Sequence, residues 1–237
     1  MPKAKELFDN LFAPYAAAKT FRGNMNLSIE DNSAKTKLGI SEMRLKTRYR
    51  FDAKGDLQSE DTTAVFVGTD RLKQKSELHF IHDGVTNVGF LPDKKVWWQE
   101  DKEELDSQPL FVHAVTSLFD AVSAALEEND ATPVISRGVE AGRPVFILKA
   151  ELTNGFRVVV DQQTRALRSL ELKDVFSIRC FEQTFDEPLI DESFKWTPPT
   201  DYRKIEQSES IALLPEFLKA LLKKSDKTLP DKTTPAN

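Results

Sequence analysis

The chain has 237 residues, a length that suits one large all-β domain or two small ones. Hydrophobic residues make up 40% and charged residues 30%, a balance that allows a sizeable core and excludes wholesale disorder. The net charge of −5 at pH 7 argues against a nucleic-acid-binding protein, because such proteins usually carry a basic excess.

The chain opens with an amphipathic helix at residues 3–18, in which apolar side chains recur at helical spacing. Pro14 should kink or end this helix. The hydrophobic period then becomes that of a strand. At residues 21–30 and 42–51, apolar and polar side chains alternate, which predicts antiparallel strands with one face on the core and one face in water.

Further short strands follow, separated by turn signals at 53–56, 83–84 and 92–94. An apolar segment at 108–128 interrupts this series and is predicted to form a helix. The strands up to that point have no helices between them, and a meander of this kind argues against a parallel α/β fold.

Strands resume after the middle helix and end with Phe194-Lys195-Trp196, with Asn154-Gly155 as the strongest hairpin signal among them. Pro198-Pro199 ends the sheet, because proline cannot donate to a strand ladder. A last amphipathic helix is predicted at 211–224, and residues 227–237 are predicted to be disordered.

These elements predict a mainly β fold with some helix, in which about ten or eleven strands form one strongly curved sheet. Such a sheet must close on itself or cover its apolar face, and the N-terminal and middle helices are available as covers. We therefore predict one curved antiparallel sheet that either closes on itself or is covered by these helices. It occupies residues 1–206 as a single domain, followed by the C-terminal helix and tail at 207–237.

The sequence offers little for catalysis. His79 and His82 lie three apart in a predicted strand, so their side chains point to opposite faces and cannot share a metal ion. His113 lies in the middle helix without a partner at metal-ligand spacing, and structural histidines are the favoured interpretation. The chain lacks the sequence motifs of serine hydrolases, phosphate-binding loops and zinc proteases. We predict that it is not an enzyme and holds no cofactor or metal.

The single cysteine, Cys180, excludes an internal disulfide framework and any metal site built from several cysteines. Its strand pattern favours a buried, unreactive thiol over a reactive one. No apolar run reaches the roughly 18 residues that a membrane-spanning helix needs. No leader is visible, which fits a cytoplasmic protein or a secreted protein without its leader.

Four basic side chains share one face of the second predicted strand. They are Arg44, Lys46, Arg48 and Arg50. The favoured interpretation is that neighbouring side chains neutralise this row, with Glu60 on the next strand as a cross-strand partner. The alternative is a patch that binds an anionic partner.

Aromatic side chains gather around the predicted middle helix, where they either fill an ordinary core or line a cavity. They are Phe80, Phe90, Trp97, Trp98, Phe111 and Phe119. Phenylalanine, with 16 copies, suits both roles because its ring has no polar group to satisfy. The residues alone favour the core and leave the cavity open.

The order of the elements has four distinctive features over residues 4–203. These are an N-terminal helix that runs into a long strand, a His82-Asp83-Gly84 turn before an aromatic strand, a helical insertion, and a hairpin series from Val145 to Phe194-Lys195-Trp196-Thr197-Pro198-Pro199. Together they resemble the bacterial lipoprotein-carrier superfamily, which comprises LolA-like and LolB-like carriers and RseB-like sensors.

Members of that superfamily have an incomplete β-barrel with helices over its mouth, and their cavity receives the acyl chains of lipoproteins or similar ligands. The resemblance therefore implies that this chain forms an incomplete antiparallel β-barrel covered by helices. Burial of each methylene stabilises such a complex by about 0.8 kcal/mol. The resemblance implies a cavity lined by Leu27, Ile29, Leu45, Tyr49, Phe80, Phe90, Trp97, Phe119 and Val122.

Two functions are compatible with this resemblance. The first is non-enzymatic binding or transport of a lipid, or of the acyl chains of lipoproteins, in a hydrophobic cavity of the cell envelope. The second is an envelope-stress sensor or protein-interaction domain whose cavity is filled. A continuous apolar pocket of several hundred Å³ would favour the first, and a packed interior would favour the second.

The resemblance also implies where the chain acts and with what. The implied location is periplasmic or secreted, with the cytoplasm as the alternative. The implied partners are lipid or lipoprotein acyl chains and, in addition, envelope membrane or transport proteins. We expect a monomer that does not bind nucleic acid.

Overall fold

The computed structural model describes residues 6–7, 10–11, 13–69, 74–101, 109, 111–112, 116, 123–124, 126–128, 131–151 and 155–214. Over these residues the chain is mainly β with few helices, as the sequence predicts. None of the helices in these ranges combines the length and the apolar content needed to cross a bilayer.

All strands of the described residues join one sheet. They are β1 (Thr20–Ile29), β2 (Ile40–Phe51), β3 (Leu57–Gly68), β4 (Lys75–His82), β5 (Thr86–Leu91), β6 (Val96–Asp101), β7 (Val134–Glu140), β8 (Arg143–Ala150), β9 (Phe156–Asp161), β10 (Leu167–Leu172), β11 (Phe176–Phe185) and β12 (Arg203–Lys204). Their spatial order is β12-β6-β5-β4-β3-β2-β1-β11-β10-β9-β8-β7. The two ends of this order are not paired with each other, so the sheet is large and open.

The sheet differs from the prediction at its C-terminal end. Within the described residues it has 12 strands, and β12 pairs with β6 in parallel, whereas the other neighbours are antiparallel. With two residues, β12 is too short to show a hydrophobic period. The strand predicted at Phe194-Lys195-Trp196 is wrong, because the chain forms a 3-10 turn at Asp191–Phe194.

The helices that lie wholly within the described ranges are short. They are α1 (Ala13–Ala17), α2 (Asn32–Leu38) and α3 (Gln207–Leu213), and a second 3-10 turn spans Pro92–Lys94. Pro14 lies in the first turn of α1, where its missing N–H leaves no hydrogen bond unmade. The chain before it forms a turn at Asn10 and Leu11, so the predicted N-terminal helix is interrupted near this proline.

Helix α3 differs from the predicted helix at 211–224. It begins at Gln207, and Leu214 already has an extended backbone with φ −70° and ψ 150°. Residues 215–237, including the predicted disordered tail, lie outside the described residues. In the predicted middle helix, the described residues after Pro109 are helical, and the others lie outside the described ranges.

Strands β1 and β2 define the two faces of the sheet. Met25 lies opposite Leu45 and Leu27 lies opposite Met43, and all four side chains are buried. We call the face that carries them the inner face and the opposite face the outer face. The core lies on the inner face, where Tyr15 of α1 and Phe111 join the same buried cluster.

Candidate functional site

The structure brings together five of the nine predicted cavity residues. Leu27, Ile29, Leu45 and Tyr49 lie on the inner face and belong to its buried cluster. Phe80 shares this face, since it lies opposite Thr62, and is half-buried. The predicted positions Phe119 and Val122, like His113, lie outside the described residues.

The prediction is wrong for Phe90 and Trp97, which lie on the outer face. Phe90 is directly opposite His79 on β4 and Trp97 on β6, and directly opposed side chains share a face. Trp98 occupies the inner face instead, where its indole packs over the backbone of Gly89. Strands β5 and β6 are apolar on both faces, so the alternation of side chains along the sequence does not show which face lies on the core.

The inner face is filled at the predicted cavity positions. A cavity wide enough for an acyl chain would leave the side chains that line it accessible to a water-sized sphere. Tyr49 is 0% accessible, Leu27 is 2% and Leu45 is 4%. The Tyr49 ring stacks on Phe21 at 5.1 Å between centroids. These positions are packed as a core.

Helix α1 is fastened over this core by two tyrosines. The Tyr15 hydroxyl donates a hydrogen bond of 2.6 Å to Oε1 of Gln183 and accepts one of 3.1 Å from the backbone N–H of Leu167. The Tyr49 hydroxyl donates to the Tyr15 carbonyl at 3.3 Å. Burial raises the pKa of Tyr15 well above its ordinary value, so the hydroxyl stays protonated and able to donate.

A buried polar band crosses the inner face, and sequence reasoning missed it. The hydroxyls of Thr47 and Thr62 are 2.6 Å apart, and Thr62 donates to Oε1 of Glu60 at 2.6 Å. His82 lies directly opposite Glu60, and its Nδ1 is 2.8 Å from Oδ1 of Asn87. All five residues are buried. The inner face is therefore polar toward the end where β4 turns into β5, and an acyl chain placed there would need an apolar surface.

The basic row on β2 is largely neutralised, as the favoured interpretation expects. The ion pairs are Arg44–Glu42 (3.1 Å), Arg48–Asp61 (2.9 Å from Nε) and Arg50–Asp191 (2.8 Å). The predicted partner Glu60 is wrong, because its side chain points to the inner face. Lys46 is the fourth member of the row and is exposed.

An aromatic stack covers part of the outer face. The Phe90 ring lies between His79 and Trp196, at 4.4 Å from each and nearly parallel to both. Nδ1 of His79 is 3.2 Å from the Thr63 hydroxyl, and its Nε2 contacts a carboxylate oxygen of Glu77. Trp196 belongs to residues 186–205, which we call the C-terminal strap. His79 thus helps to hold this strap on the sheet.

A cleft of about 770 Å³ opens on the outer face where the sheet divides. Strands β10 and β11 pair only between Ser169 and Leu172 on β10, and beyond Phe181 β11 continues beside β1. The cleft is lined by outer-face side chains of β1 to β3 and by the turns that follow β7 and β9. Its volume lies in the usual range of ligand pockets, about 300–1,000 Å³.

A β-bulge shapes the floor of this cleft. The register between β1 and β11 shifts between Arg22 and Asn24, and Glu182 adopts a φ of +52°. As a result Glu182 accepts a hydrogen bond from Asn24 beside the cleft, whereas Gln183 turns inward to Tyr15. Because of the extra residue in the bulge, two consecutive side chains of β11 face the cleft and the Tyr15 hydroxyl of α1, respectively.

Asp161 fixes the opposite side of the cleft. Burial alone would raise the pKa of its carboxyl group, but the backbone N–H groups of Thr164 and Gln163 donate hydrogen bonds to it, and Arg168 lies 3.5 Å away. Their combined effect holds the pKa of Asp161 below its ordinary value. The carboxylate therefore stays ionised and orders the turn between β9 and β10.

No family model matches the chain, and no curated protein is similar to it in sequence. An uncharacterized conserved protein from Thermus thermophilus has a similar structure, with 8% identity, a TM-score of 0.44, and coverage of 86% of this chain and 99% of that one. MucB in complex with MucA(peri) gives 10% identity and a TM-score of 0.44, over 85% of this chain and 62% of MucB. MucB alone gives 12% and 0.39, over 80% and 62%.

The chain thus spans about 62% of the length of MucB and has a distant structural likeness to it. At TM-scores of 0.44 or less, these likenesses carry no weight for function.

The remaining candidate groups are structural. Cys180 is buried in β11, as predicted, and burial raises the pKa of its thiol to about 12, which makes it unreactive at neutral pH. Among the residues that the structure describes, no three His, Cys, Asp or Glu side chains lie close enough to hold a metal ion.

We expect the fold to lose stability in alkali. The unfolded chain ionises cysteine above about pH 8.5 and tyrosine above about pH 10. Burial raises the pKa values of Cys180, Tyr15 and Tyr49 in the folded state, so these groups stay neutral there. Stability is therefore full below about pH 8.5 and falls as the pH rises, by up to about 1.4 kcal/mol per pH unit for each group.

Urea unfolding midpoints between about pH 7 and pH 11 test this expectation. In the variant Cys180→Ala the midpoint should stay level until the tyrosines begin to ionise near pH 10. A wild-type midpoint that does not fall by about pH 10.5 would contradict the burial of these groups.

Proposed function

We propose that this chain is a non-enzymatic protein-interaction domain of the cell envelope, built on an open sheet whose inner face is closed by its own side chains. The observation that carries this proposal is the packing at Leu27, Leu45 and Tyr49, which leaves no room there for an acyl chain. A domain with a filled interior recognises its partners through its surface.

The buried polar band supports the same proposal. Glu60 and His82 lie opposite each other on the inner face, near the end where β4 turns into β5, and both lie within hydrogen-bonded groups. An acyl chain placed against these polar groups would not reach an apolar environment. It would therefore lose the favourable free energy of transfer from water that drives acyl binding.

The histidines support a non-enzymatic role. The His79 ring is stacked on Phe90, and His82 is buried beside Asn87. Both rings are thus committed to contacts that hold the sheet and the C-terminal strap, and neither lines the outer-face cleft. The location in the envelope, and the monomeric state, are parts of this proposal that derive from the resemblance to the lipoprotein-carrier superfamily.

Two measurements test the proposal together. The first is organic extraction of the purified protein followed by lipid mass spectrometry, in which we expect no lipid near a molar equivalent. The second is photo-cross-linking in cells from three exposed positions: Phe181 in the cleft, Val139 on β7 and Val85 in a hairpin turn. We expect a discrete protein adduct from at least one of them. Equimolar lipid without any adduct would overturn the proposal.

Lipid binding is the second candidate, and the small size of α1, with five residues, favours it. A helix of five residues held by hydrogen bonds from two tyrosines could swing away and expose the inner face. In that case the closed arrangement would be the empty state of a lipoprotein or lipid carrier, and acyl chains would enter when α1 moves.

The variant Tyr15→Phe distinguishes the two candidates. It leaves the buried Leu167 N–H and Gln183 amide without the hydroxyl, which should cost about 1–3 kcal/mol of unfolding free energy. For an interaction domain, we expect no increase in the binding of a fluorescent fatty acid. For a carrier with a movable lid, binding should rise. Tyr202→Phe, a half-buried tyrosine on the strap, is the matched control.

A further inference from the structure

Charge is unevenly distributed around the outer-face cleft. Its cationic side chains are Arg22, Lys46, Arg48, Arg143 and Arg168. Its acidic side chains are Asp61, Asp161 and Glu182. Together with Glu187, which pairs with Arg22 beside the cleft, five positive and four negative groups leave an excess of one positive charge, whereas the whole chain carries a net charge of −5. A concave surface of this sign attracts anionic groups to an otherwise acidic protein.

Two exposed cations, Lys46 and Arg143, remain against the single carboxylate of Glu182, which accepts a hydrogen bond from Asn24. The other three cations have acidic neighbours: Arg22–Glu187 at 3.4 Å, Arg48–Asp61 at 2.9 Å and Arg168–Asp161 at 3.5 Å. Within the ranges that the structure describes, neither Lys46 nor Arg143 forms an ion pair. Their charges are available to a ligand.

We propose that this cleft is the docking site for an extended acidic segment of a partner protein. The inference rests on the proposed interaction function and names the surface and the chemistry of the partner. Neighbouring strands lie about 4.8 Å apart, so a floor that crosses β3, β2, β1 and β11 spans roughly 14 Å. That distance corresponds to about four or five residues of extended chain.

The placement of the cations favours an extended ligand over a compact one. Lys46 comes from β2 and Arg143 from the start of β8, on opposite sides of the division between β10 and β11. Two carboxylates of one segment can pair with them at separate points. A single phosphate would instead need its donors to converge on one place.

Phe181 supplies the apolar part of the site. Its side chain lies on the cleft floor and is 42% exposed, although it belongs to a strand in the middle of the sheet. A ring in this position can pack against an aliphatic or aromatic side chain of the segment, between the two carboxylates. The expected partner sequence therefore alternates acidic residues with at least one apolar residue.

The test is the fluorescence anisotropy of a labelled peptide of about eight residues, in which Glu alternates with Ser around a central Phe, at low ionic strength. A peptide with Lys in place of Glu is its control. We expect the Glu peptide to bind and the Lys peptide not to bind. In the double variant Lys46→Glu, Arg143→Glu the affinity for the Glu peptide should fall about tenfold or more.

A matched double variant carries the control for net charge. Lys149→Glu, Lys173→Glu makes the same change in total charge at two exposed positions outside the cleft, and it should keep the affinity within about twofold. Equal loss in both double variants would show diffuse attraction and overturn the site. The site would also be overturned if the Glu peptide fails to bind, or if tripolyphosphate, a compact anion, binds and the Glu peptide does not.

The cross-linking positions separate the two proposals. An adduct from Phe181 that disappears in the double variant Lys46→Glu, Arg143→Glu supports the cleft as the docking site. An adduct from Val139 on β7 without one from Phe181 would leave the interaction function intact and remove the cleft from it.

Discussion

Replacement of Phe21 by alanine is expected to lower the free energy of unfolding by about 3–5 kcal/mol. Phe21 is buried in β1, and its ring contacts four others. They are Tyr15 (5.3 Å), Tyr49 (5.1 Å), Phe111 (5.4 Å) and Phe185 (5.1 Å between centroids). Truncation removes these contacts and leaves a cavity beneath α1 that the strands on either side cannot close.

The variant Phe181→Ala is the matched control for this prediction. It makes the same chemical change on an exposed ring, and it should cost less than about 1 kcal/mol. Urea unfolding followed by circular dichroism gives both values, and equal slopes with urea would show that the denatured states are comparable. A loss below about 1 kcal/mol for Phe21→Ala would mean that α1 and Phe111 do not cover the sheet as described.

The first strands show how far a hydrophobic period determines a fold. Leu27 and Leu45 alternate with polar neighbours, so only one face of β1 and β2 can lie on the core, and the structure has that face inward. The prediction failed at Phe90 and Trp97 because both faces of β5 and β6 are covered. The outer face is covered by Trp196 of the C-terminal strap, more than 90 residues away in sequence, and no local pattern contains that contact.

Two missed features had a local signal. Helix α2 begins after Asp31, whose side chain accepts a hydrogen bond from the Ala34 N–H, and ends at Gly39 with φ +71°. An aspartate and a glycine at these positions are standard helix boundaries, so the sequence contained the evidence. The buried Glu60 likewise alternates with Thr62 and with apolar Ala64 on β3, which indicates that all three share a face.

The cleft had no such signal. It depends on the separation of β10 from β11, which brings Arg143 near a surface that begins at Lys46, almost a hundred residues earlier. The sequence shows the basic row on β2 but not which members find acidic partners, because Asp191 reaches Arg50 only through the strap. Sites assembled from distant segments need the pairing of strands, and a single period does not provide it.

Replacement of Gly89 by alanine is expected to destabilise the protein by about 1–3 kcal/mol, although it adds one methyl group. A Cβ at this position would lie 2.2 Å from the Trp98 ring, which is buried on the inner face directly opposite. Only glycine leaves space for the indole ring at this position, and the surrounding packed core prevents the ring from moving away. Thermal or urea unfolding measures the loss, and the tryptophan fluorescence should shift as the indole is displaced.

Gly138→Ala is the control for backbone effects, since it also lies in a strand but on the edge strand β7. Its added Cβ would come too close only to Cδ1 of Ile147, at 2.8 Å, and this flexible end can rotate away, so the change should stay within about 0.5 kcal/mol. In a background of Trp98→Leu, the further cost of Gly89→Ala should largely vanish, because the clashing ring is gone. If the cost persists in that background, a clash with the Trp98 ring does not explain it, and the backbone of β5 requires glycine at this position for another reason.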